Sequence, residues 1–308
     1  MRTLRQAVDD YLTLRRGLGF KLQAEGVRLL DFVSFLKKKK VTHITTRVAL
    51  EWAQQAGGRQ GPRIRLRMVR IFAKYLAAFD VRTEVPPENL LPVKRMRRRP
   101  YIYSDKEVRR LLEAAWSCEN DRPRGTYYCL FGLLIVSGMR IGEALRLQVK
   151  DVDLQNGILT VRDTKFSQSR LVPLHSSTVD ELKKYKKQRD KLLGEQSSPH
   201  FFITPTGTPL YHQRVYCAFR LLLVQVGLWH GTAGGGPRLH DFRHRFAVRT
   251  LIDWYRSGGN VECRLPSLST YLGHVSVDST YWYLTEYPEL MRLAVKRLEV
   301  RWEKADEN

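Results

Sequence analysis

A proline-rich segment interrupts the sequence about a third of the way along and argues for two domains rather than one. Four prolines, at positions 86, 87, 92 and 100, fall within residues 85–100. Proline breaks regular structure and stiffens a connection. At 308 residues the chain is long enough for each part to bury its own core. We therefore predict an N-terminal domain over residues 1–85, a linker over 86–103 and a second domain over 104–308.

The two parts carry very different charges. Residues 1–103 contain 23 Lys+Arg and 8 Asp+Glu, a net charge of +15, within a total of +22 for the sequence. A surface of this charge attracts nucleic acid, with an affinity that weakens steeply with salt. An anionic membrane is the competing partner. However, the longest apolar run, residues 129–139, is far shorter than the roughly 20 residues that span a bilayer. The sequence favours DNA and no membrane.

Residues 62–79 have the pattern of an amphipathic helix in the N-terminal domain. One stripe at helical spacing is apolar, and we expect it to pack on the core: Ile64, Met68, Ile71, Tyr75 and Phe79. A second stripe is basic and contains no acid: Arg63, Arg67, Arg70 and Lys74. The basic stripe is interpreted as a DNA-binding surface, with a solvated polar face as the alternative.

The linker adds a second basic cluster, consisting of Lys94, Arg95, Arg97, Arg98 and Arg99. Cations at this density favour a position along a phosphate backbone. A disordered basic tether is the other interpretation, and the two are compatible.

The second domain is predicted to be mainly helical with a small antiparallel β-sheet. Residues 104–107 (Ser-Asp-Lys-Glu) form a capping box, and an apolar helix over 127–136 follows. The period then changes to that of strands at 152–154, 158–161 and 171–174, with Asn-Gly at 156–157 as the hairpin signal. After residue 178 the pattern is again helical.

The second domain also contains the groups needed to attack a phosphodiester without a metal. The planar guanidinium groups of Arg140 and Arg243 can neutralise phosphate oxygens, while histidine and tyrosine move protons or act as nucleophiles. The 4 cysteines are scattered without a C-x-x-C pair, which disfavours a zinc site and indicates reduced thiols in a cytosol. We expect no metal and no cofactor.

Two segments of this domain resemble motifs of the tyrosine recombinases, a family that includes phage and transposon integrases. Residues 138–145 (Gly-Met-Arg-Ile-Gly-Glu-Ala-Leu) resemble the family's first arginine box. This implies that Arg140 binds the phosphate and that Glu143 orients it. Residues 163–174 are similar to the family's β-hairpin, whose lysine is a general acid toward the leaving 5′ oxygen, which implies that role for Lys165.

Two further motifs follow in the order of the family, so that the resemblance covers nearly the whole chain. Residues 239–244 (Leu-His-Asp-Phe-Arg-His) resemble the His-x-x-Arg box. That box implies His240 as general base or proton shuttle and Arg243 as the second phosphate ligand. Leu-Gly-His at 272–274 matches the box whose histidine hydrogen-bonds the scissile phosphate, which implies that role for His274.

The nucleophile implied by the resemblance is Tyr283, which follows His274 by nine residues. Tyr281 is the alternative and is disfavoured by spacing. His244 is predicted to be structural, because within one turn of helix it should face away from Arg243.

The sequence departs from the commonest family pattern in two places. Asp241 stands where many members have an apolar residue. Residues 254–266 are predicted to form an enlarged connection before the Leu-Gly-His box.

The resemblance implies two domains that clamp double-stranded DNA and exchange strands through a covalent 3′-phosphotyrosyl intermediate, without ATP or metal. Four protomers are the expected assembly, with other recombinases as further partners. The last helical stripe, Leu290, Met291, Ala294, Leu298 and Trp302, is predicted to pack either on its own domain or on a neighbouring protomer.

The predicted function is site-specific recombination, for integration or excision of a mobile element, in a prokaryotic cytoplasm at the nucleoid. A catalytically idle DNA-binding partner is one alternative, and the filled set of six motif positions argues against it. An enzyme that relaxes DNA like a type IB topoisomerase is the other, and the apolar tail disfavours it.

Overall fold

The structure, a computed structural model, describes residues 3–58, 61–91, 99–117, 125–162, 169–229, 236–273 and 276–306. The chain divides into two compact units, residues 1–97 and 98–308. The division falls within residues 86–103, where the sequence predicts the linker. The described residues are mainly helical and contain a three-stranded antiparallel sheet, which confirms the predicted fold class.

The first unit is helical throughout its described secondary structure: α1 (Leu4–Gly17), α2 (Gln23–Lys38), α3 (Thr46–Gln54) and α4 (Gly61–Leu76). Local signals set where the helices begin. Thr3 forms a capping box with Gln6 at the start of α1, and the side chain of Thr45 accepts a hydrogen bond from the backbone of α3. In the core between the helices, the rings of Phe32 and Trp52 pack with centroids 5.0 Å apart.

Helix α4 buries a different face from the one predicted. Ile64, Ile71 and Phe79 are 49%, 40% and 64% exposed, so the predicted apolar stripe is wrong at these positions. Met68 is buried and Tyr75 is partly buried, as expected. The face that packs on α1, α2 and α3 consists of Leu66, Met68, Val69, Phe72, Ala73 and Leu76. The predicted stripe and the face that is buried both recur at helical spacing. The position of the neighbouring helices decides which of the two is buried.

The first helix of the second unit begins where the capping box predicts. The backbone N–H of Ser104 donates to the Glu107 carboxylate at 2.7 Å, and the Ser104 hydroxyl accepts from the backbone of Glu107 at 3.2 Å. Helix α5 (Asp105–Trp116) follows, and the apolar α6 (Thr126–Ser137) is buried beside it. Then come the short α7 (Ile141–Arg146) and a 3-10 turn, Val149–Asp151.

The small sheet consists of β1 (Val152–Asp153), β2 (Ile158–Val161) and β3 (Arg170–Pro173), in the order β1-β2-β3. Both pairings are antiparallel, and Leu159 pairs with Val172 in the centre of the hairpin. These two side chains are fully buried, so one face of the sheet covers the core. The sheet and its Asn-Gly turn agree with the prediction from sequence.

Helices complete the unit: α8 (Ser176–Leu193), α9 (His212–Gln225), α10 (Asp241–Arg256), α11 (Val261–Leu272), α12 (Asp278–Glu286) and α13 (Pro288–Asp306). The enlarged connection predicted for residues 254–266 is wrong. Helix α10 continues to Arg256, and α11 begins at Val261 and includes Pro266. Proline removes a backbone donor but does not end this helix, which is held from residue 261 onward by its buried apolar face.

Some apolar residues of the last helix, α13, are buried and others are exposed. Leu290 is fully buried within its own unit, where α13 packs on α10. Met291, Val295 and Leu298 are 47%, 49% and 43% exposed. The predicted stripe is therefore only partly used by its own unit, and the Trp302 side chain lies outside the described residues.

Candidate active site

A buried carboxylate, Glu143, organises the first part of the site. Gly138 ends α6 with φ +60°, a conformation that favours glycine, and turns the chain so that Arg140 precedes α7. The Arg140 guanidinium donates to Glu143 through Nη1 at 2.9 Å, and the Arg140 backbone N–H donates to the same carboxylate at 3.0 Å. Glu143 thus orients Arg140, the role that the resemblance implies for it.

A third arginine, which was not singled out from the sequence, shares this carboxylate. Arg170, the first residue of β3, donates to Glu143 through Nη1 at 3.1 Å and through Nη2 at 2.6 Å. Its side chain is 11% exposed. Among 53 Lys+Arg, the one sequence signal that could have found Arg170 is its place at the start of the second hairpin strand.

The two arginines keep Glu143 charged inside the protein. Burial alone would raise the pKa of this carboxyl group, but hydrogen bonds and charge from Arg170, followed by hydrogen bonds from Arg140, lower it to about 2. Glu143 is therefore an anion at pH 7 and neutralises one of the two cations.

Arg243, on α10, is the most deeply buried of the arginines at the site, being 2% exposed. Its Nη1 donates to the Gly138 carbonyl at 2.9 Å, and its Nη2 donates to the carbonyl of Leu272 at the end of α11. Burial and the nearby Arg140 lower the pKa of Arg243 to about 10, so it remains a cation at pH 7. It ties the ends of α6 and α11 to α10.

Gly273 brings the Leu-Gly-His box to the same place. The residue has φ +65°, and its carbonyl accepts a hydrogen bond from Arg140 Nη2 at 2.8 Å. A Cβ atom there would lie 3.3 Å from Arg170 Nη1 and 3.4 Å from Arg140 Nη1. Glycine thus permits the close approach of both guanidinium groups.

His240 immediately precedes α10 and is an exposed residue. Even so, the surrounding protein and the neighbouring Arg243 lower its pKa to about 4. The imidazole is therefore neutral at pH 7, the state that a proton acceptor requires. Asp241, which follows it, is buried and accepts hydrogen bonds from the backbone and guanidinium of Arg238 at 2.8 and 2.9 Å. These bonds explain how a charged residue replaces an apolar one at this position.

Tyr283, on α12, lies against α10 and is 2% exposed. Its hydroxyl is 2.9 Å from Nδ1 of His244, and its charge, when ionised, acts on Arg243. Tyr281 is 47% exposed. His244 therefore contacts the predicted nucleophile. The sequence predicts a structural histidine that faces away from Arg243, and it does not predict this contact.

Several predicted residues lie outside the described residues, and the structure adds nothing about them. They are Lys165 in the hairpin turn, His274 in the Leu-Gly-His box, and Lys94, Arg95, Arg97 and Arg98 in the linker. Arg99 is described and is exposed.

The basic stripe of α4 separates into two kinds of residue. Arg67 and Lys74 are exposed and Arg63 is partly exposed, so they remain available to a ligand. Arg70 instead donates to the carbonyls of Pro86 and Pro87, at 2.7 and 2.6 Å. Its guanidinium thus secures the chain that leaves the first unit.

Two kinds of feature are absent from the described residues. Within the ranges that the structure covers, no three or more His, Cys, Asp or Glu side chains are grouped so that they could hold a metal ion. Across those same ranges, none of the helices has the length and apolar character needed to cross a membrane.

The site can bind a phosphodiester and move protons beside it. The guanidinium groups of Arg140 and Arg170 share the Glu143 carboxylate, and that of Arg243 lies near enough to interact with its charge, so the cluster keeps an excess of positive charge. Planar guanidinium groups match the oxygens of a phosphate. Two imidazoles and a phenol adjoin this cluster, with the rings of His240 and His244 only 4.8 Å apart.

The chain matches known proteins over most of its length. The phage integrase family matches residues 102–289. The putative integrase/recombinase y4rB of Sinorhizobium fredii (strain NBRC 101917 / NGR234) is 49% identical over 311 residues, which cover 98% of this chain and 99% of that protein. The tyrosine recombinase XerC of Chlamydia trachomatis (serovar L2) is 28% identical over 76% of this chain and 69% of its own length.

A solved structure agrees with the sequence comparisons. The Tn1549 transposon integrase, in complex with transposon right end DNA, matches 96% of this chain and 99% of its own with a TM-score of 0.65. Its sequence identity is 17%, so this match shows the fold. Taken with the extent of the family match and the close relative, these findings show that the chain belongs to the phage integrase family and is a tyrosine-type site-specific DNA recombinase.

Proposed function

We propose that this enzyme cuts and rejoins double-stranded DNA with Tyr283 as its nucleophile, through a covalent 3′-phosphotyrosyl intermediate. The observation that carries the proposal is the convergence of Arg140, Arg243 and Tyr283, from three different helical segments, on one positively charged cluster. Such a cluster suits the charge that develops on a phosphate during transfer.

In the proposed reaction, Arg140 and Arg243 bind the non-bridging oxygens of the scissile phosphate. The phenol oxygen of Tyr283 forms a bond to phosphorus, and the bond to the 5′ oxygen breaks. Lys165 is the proposed acid that protonates this oxygen, His240 the proposed base or shuttle, and His274 a further phosphate contact. A 5′ hydroxyl from the partner strand then attacks the phosphotyrosyl bond and releases Tyr283.

The proposed chemistry conserves the energy of the broken bond in the protein–DNA ester, so it needs no ATP. Guanidinium groups neutralise the phosphate in place of a divalent metal. The reaction should therefore proceed in the presence of EDTA.

DNA binding is proposed to involve both units. In the first unit the exposed cations of α4, Arg67 and Lys74 with Arg63 beside them, contact the phosphate backbone. The linker cations Lys94, Arg95, Arg97, Arg98 and Arg99 extend this contact. Such interactions fix position on DNA, while base preference depends on side chains that reach the groove edges.

The proposed assembly on DNA is a homotetramer, because two strands of two sites must be exchanged. The exposed apolar residues of α13, Met291, Val295 and Leu298, would dock on a neighbouring protomer. Other recombinases are further proposed partners. Integration or excision of a mobile element, at the nucleoid of a prokaryotic cell, is the proposed biological role.

The test uses nicked DNA duplexes that tile the locus carrying the gene, so that cleavage at a nick traps the covalent intermediate. Wild type, Tyr283→Phe and Tyr281→Phe are incubated with each duplex in EDTA, and adducts are detected as protease-sensitive shifted bands on denaturing gels. We expect an adduct with wild type and Tyr281→Phe and none with Tyr283→Phe. Tight DNA binding without any adduct would instead indicate an idle DNA-binding partner.

A further inference from the structure

Tyr283 is hydrogen-bonded to a histidine that has no role in the mechanism proposed above. The phenol oxygen and His244 Nδ1 are 2.9 Å apart, and the two rings meet edge to face with centroids 5.5 Å apart. His244 lies on α10 and Tyr283 on α12, 39 residues later in the chain. The contact is therefore created by the fold rather than by local sequence.

The position of His244 is fixed together with that of a predicted phosphate ligand. Its chain neighbour Arg243 is buried and is held by the carbonyls of Gly138 and Leu272. One turn of α10 therefore carries both a guanidinium for the phosphate and an imidazole for the attacking oxygen. Proton transfer needs such a fixed geometry, because donor and acceptor must stay within hydrogen-bond distance.

Two aromatic rings lie against His244. The ring of His240 stands nearly perpendicular to it, with centroids 4.8 Å apart, and the ring of Trp282 lies 5.7 Å away. Because the pKa of His240 is lowered to about 4, His240 is uncharged at pH 7. The imidazole that faces His244 is therefore neutral.

We propose that His244 is a catalytic residue that orients the hydroxyl of Tyr283 and accepts its proton during attack on DNA. As the phenol oxygen bonds to phosphorus, its proton passes to Nδ1 and leaves an imidazolium. The bond to the 5′ oxygen breaks, and that oxygen takes a proton from the general acid. In the rejoining step, the 5′ hydroxyl gives its proton back to the general acid as its oxygen bonds to phosphorus, and His244 returns its proton to the phenol oxygen as the phosphotyrosyl bond breaks.

This inference rests on the proposed function and moves the role of base from His240 to His244. The first test is His244→Asn, because an asparagine oxygen near the position of Nδ1 can accept the hydrogen bond but not the proton. His175→Asn is the matched control, since His175 is exposed and caps α8, where asparagine is an equally good cap. Adduct formation is measured in single-turnover reactions on the nicked duplex that reacts with wild type.

We expect His244→Asn to bind DNA as wild type does but to form the adduct at least about 100-fold more slowly, within the range of general base catalysis. His175→Asn should match wild type. An unchanged or faster rate in His244→Asn would overturn the inference, and a faster rate would identify the contact as a restraint on Tyr283.

A second measurement separates proton transfer from a merely structural role. Replacement of Tyr283 by a fluorinated tyrosine lowers the pKa of the phenol below its usual value of about 10 and reduces the need for a base. In the His244→Asn background this replacement should restore most of the lost rate, whereas in wild type it should have little effect. Absence of rescue would also overturn the inference. If wild type itself forms no adduct, the proposed function fails first, and the two failures are thereby distinguished.

Discussion

Arg170 donates a hydrogen bond to Glu143 from each of its Nη atoms, at 3.1 and 2.6 Å, and so connects the start of β3 to the segment that carries Arg140. The pair is nearly enclosed, with side-chain exposures of 11% and 2%. The Glu143 carboxylate thus links the hairpin, through Arg170, to Arg140 of the site. Its removal should affect stability and chemistry together.

Glu143→Gln should destabilise the protein at neutral pH by about 3 kcal/mol, because two arginines lose their buried counter-charge. The pKa of Glu143 is lowered to about 2 in the folded protein, against a usual value of about 4.3 when unfolded. Stability from this group is therefore fully present above the unfolded value and is lost as pH falls toward 2. Urea unfolding of both proteins at several pH values should show their difference shrinking in acid. A constant difference would contradict the lowered pKa.

Arg170→Lys should be far from neutral although it conserves charge. Lysine cannot bridge both oxygens of Glu143, so we expect a loss of about 2 kcal/mol in stability. Because Arg140 shares that carboxylate, its displacement should also slow cleavage, by up to about 100-fold.

Urea unfolding and the nicked-duplex assay measure these two effects of Arg170→Lys. Arg162→Lys is the control, since Arg162 ends the described part of the same hairpin but its side chain is 56% exposed. Equal effects from the two substitutions would contradict a special role for Arg170.

Gly138→Ala should destabilise the protein and disturb the site, because the Gly138 carbonyl accepts a hydrogen bond from Arg243. Its φ of +60° disfavours any side chain, and a Cβ would lie 2.6 Å from a ring carbon of Phe246. Backbone strain and overpacking together should cost about 3 kcal/mol. Gly227→Ala has a similar φ of +71° but no atom within 4 Å of the new Cβ, so it should cost only about 1 kcal/mol. Thermal unfolding compares them, and equal losses would exclude the steric effect.

Arg67 and Arg70, on the same helix, should respond differently to replacement by alanine. Arg67→Ala should weaken DNA binding and lower the slope of log affinity against log salt by about 1. Arg70→Ala should instead lower stability by about 2 kcal/mol, because its hydrogen bonds to Pro86 and Pro87 are lost. Salt-dependent binding assays and urea unfolding distinguish the two. If the slope fell by about 1 in Arg70→Ala and not in Arg67→Ala, Arg70 rather than Arg67 would be the DNA contact.

The sequence was sufficient for features that are determined locally. Ser104 and Glu107 predicted the start of α5, and the Asn-Gly pair predicted the turn beside β2. Arg140, Glu143 and Arg243 were found because a run of neighbouring residues marks each of them. Capping and turn preferences act over a few residues, so they are visible in one sequence.

Features that depend on distant segments could not be predicted in this way. The buried face of α4 depends on where α1, α2 and α3 lie, and two apolar rows fitted the helical period equally well. Helical spacing relates His244 only to its neighbours on α10, such as Arg243, whereas its partner Tyr283 lies on α12. Arg170 acquires its significance only when β3 is placed beside Glu143.

The enclosure of Tyr283, which is 2% exposed, has a consequence for how such a protein shares a cell with a chromosome. A chain with a net charge of +22 will spend much of its time on DNA of arbitrary sequence. If the proposed nucleophile, Tyr283, stood open, every such encounter would be an opportunity to break a strand. With the phenol enclosed, DNA binding and strand breakage become separate events, because the proposed nucleophile has to be uncovered before it can attack.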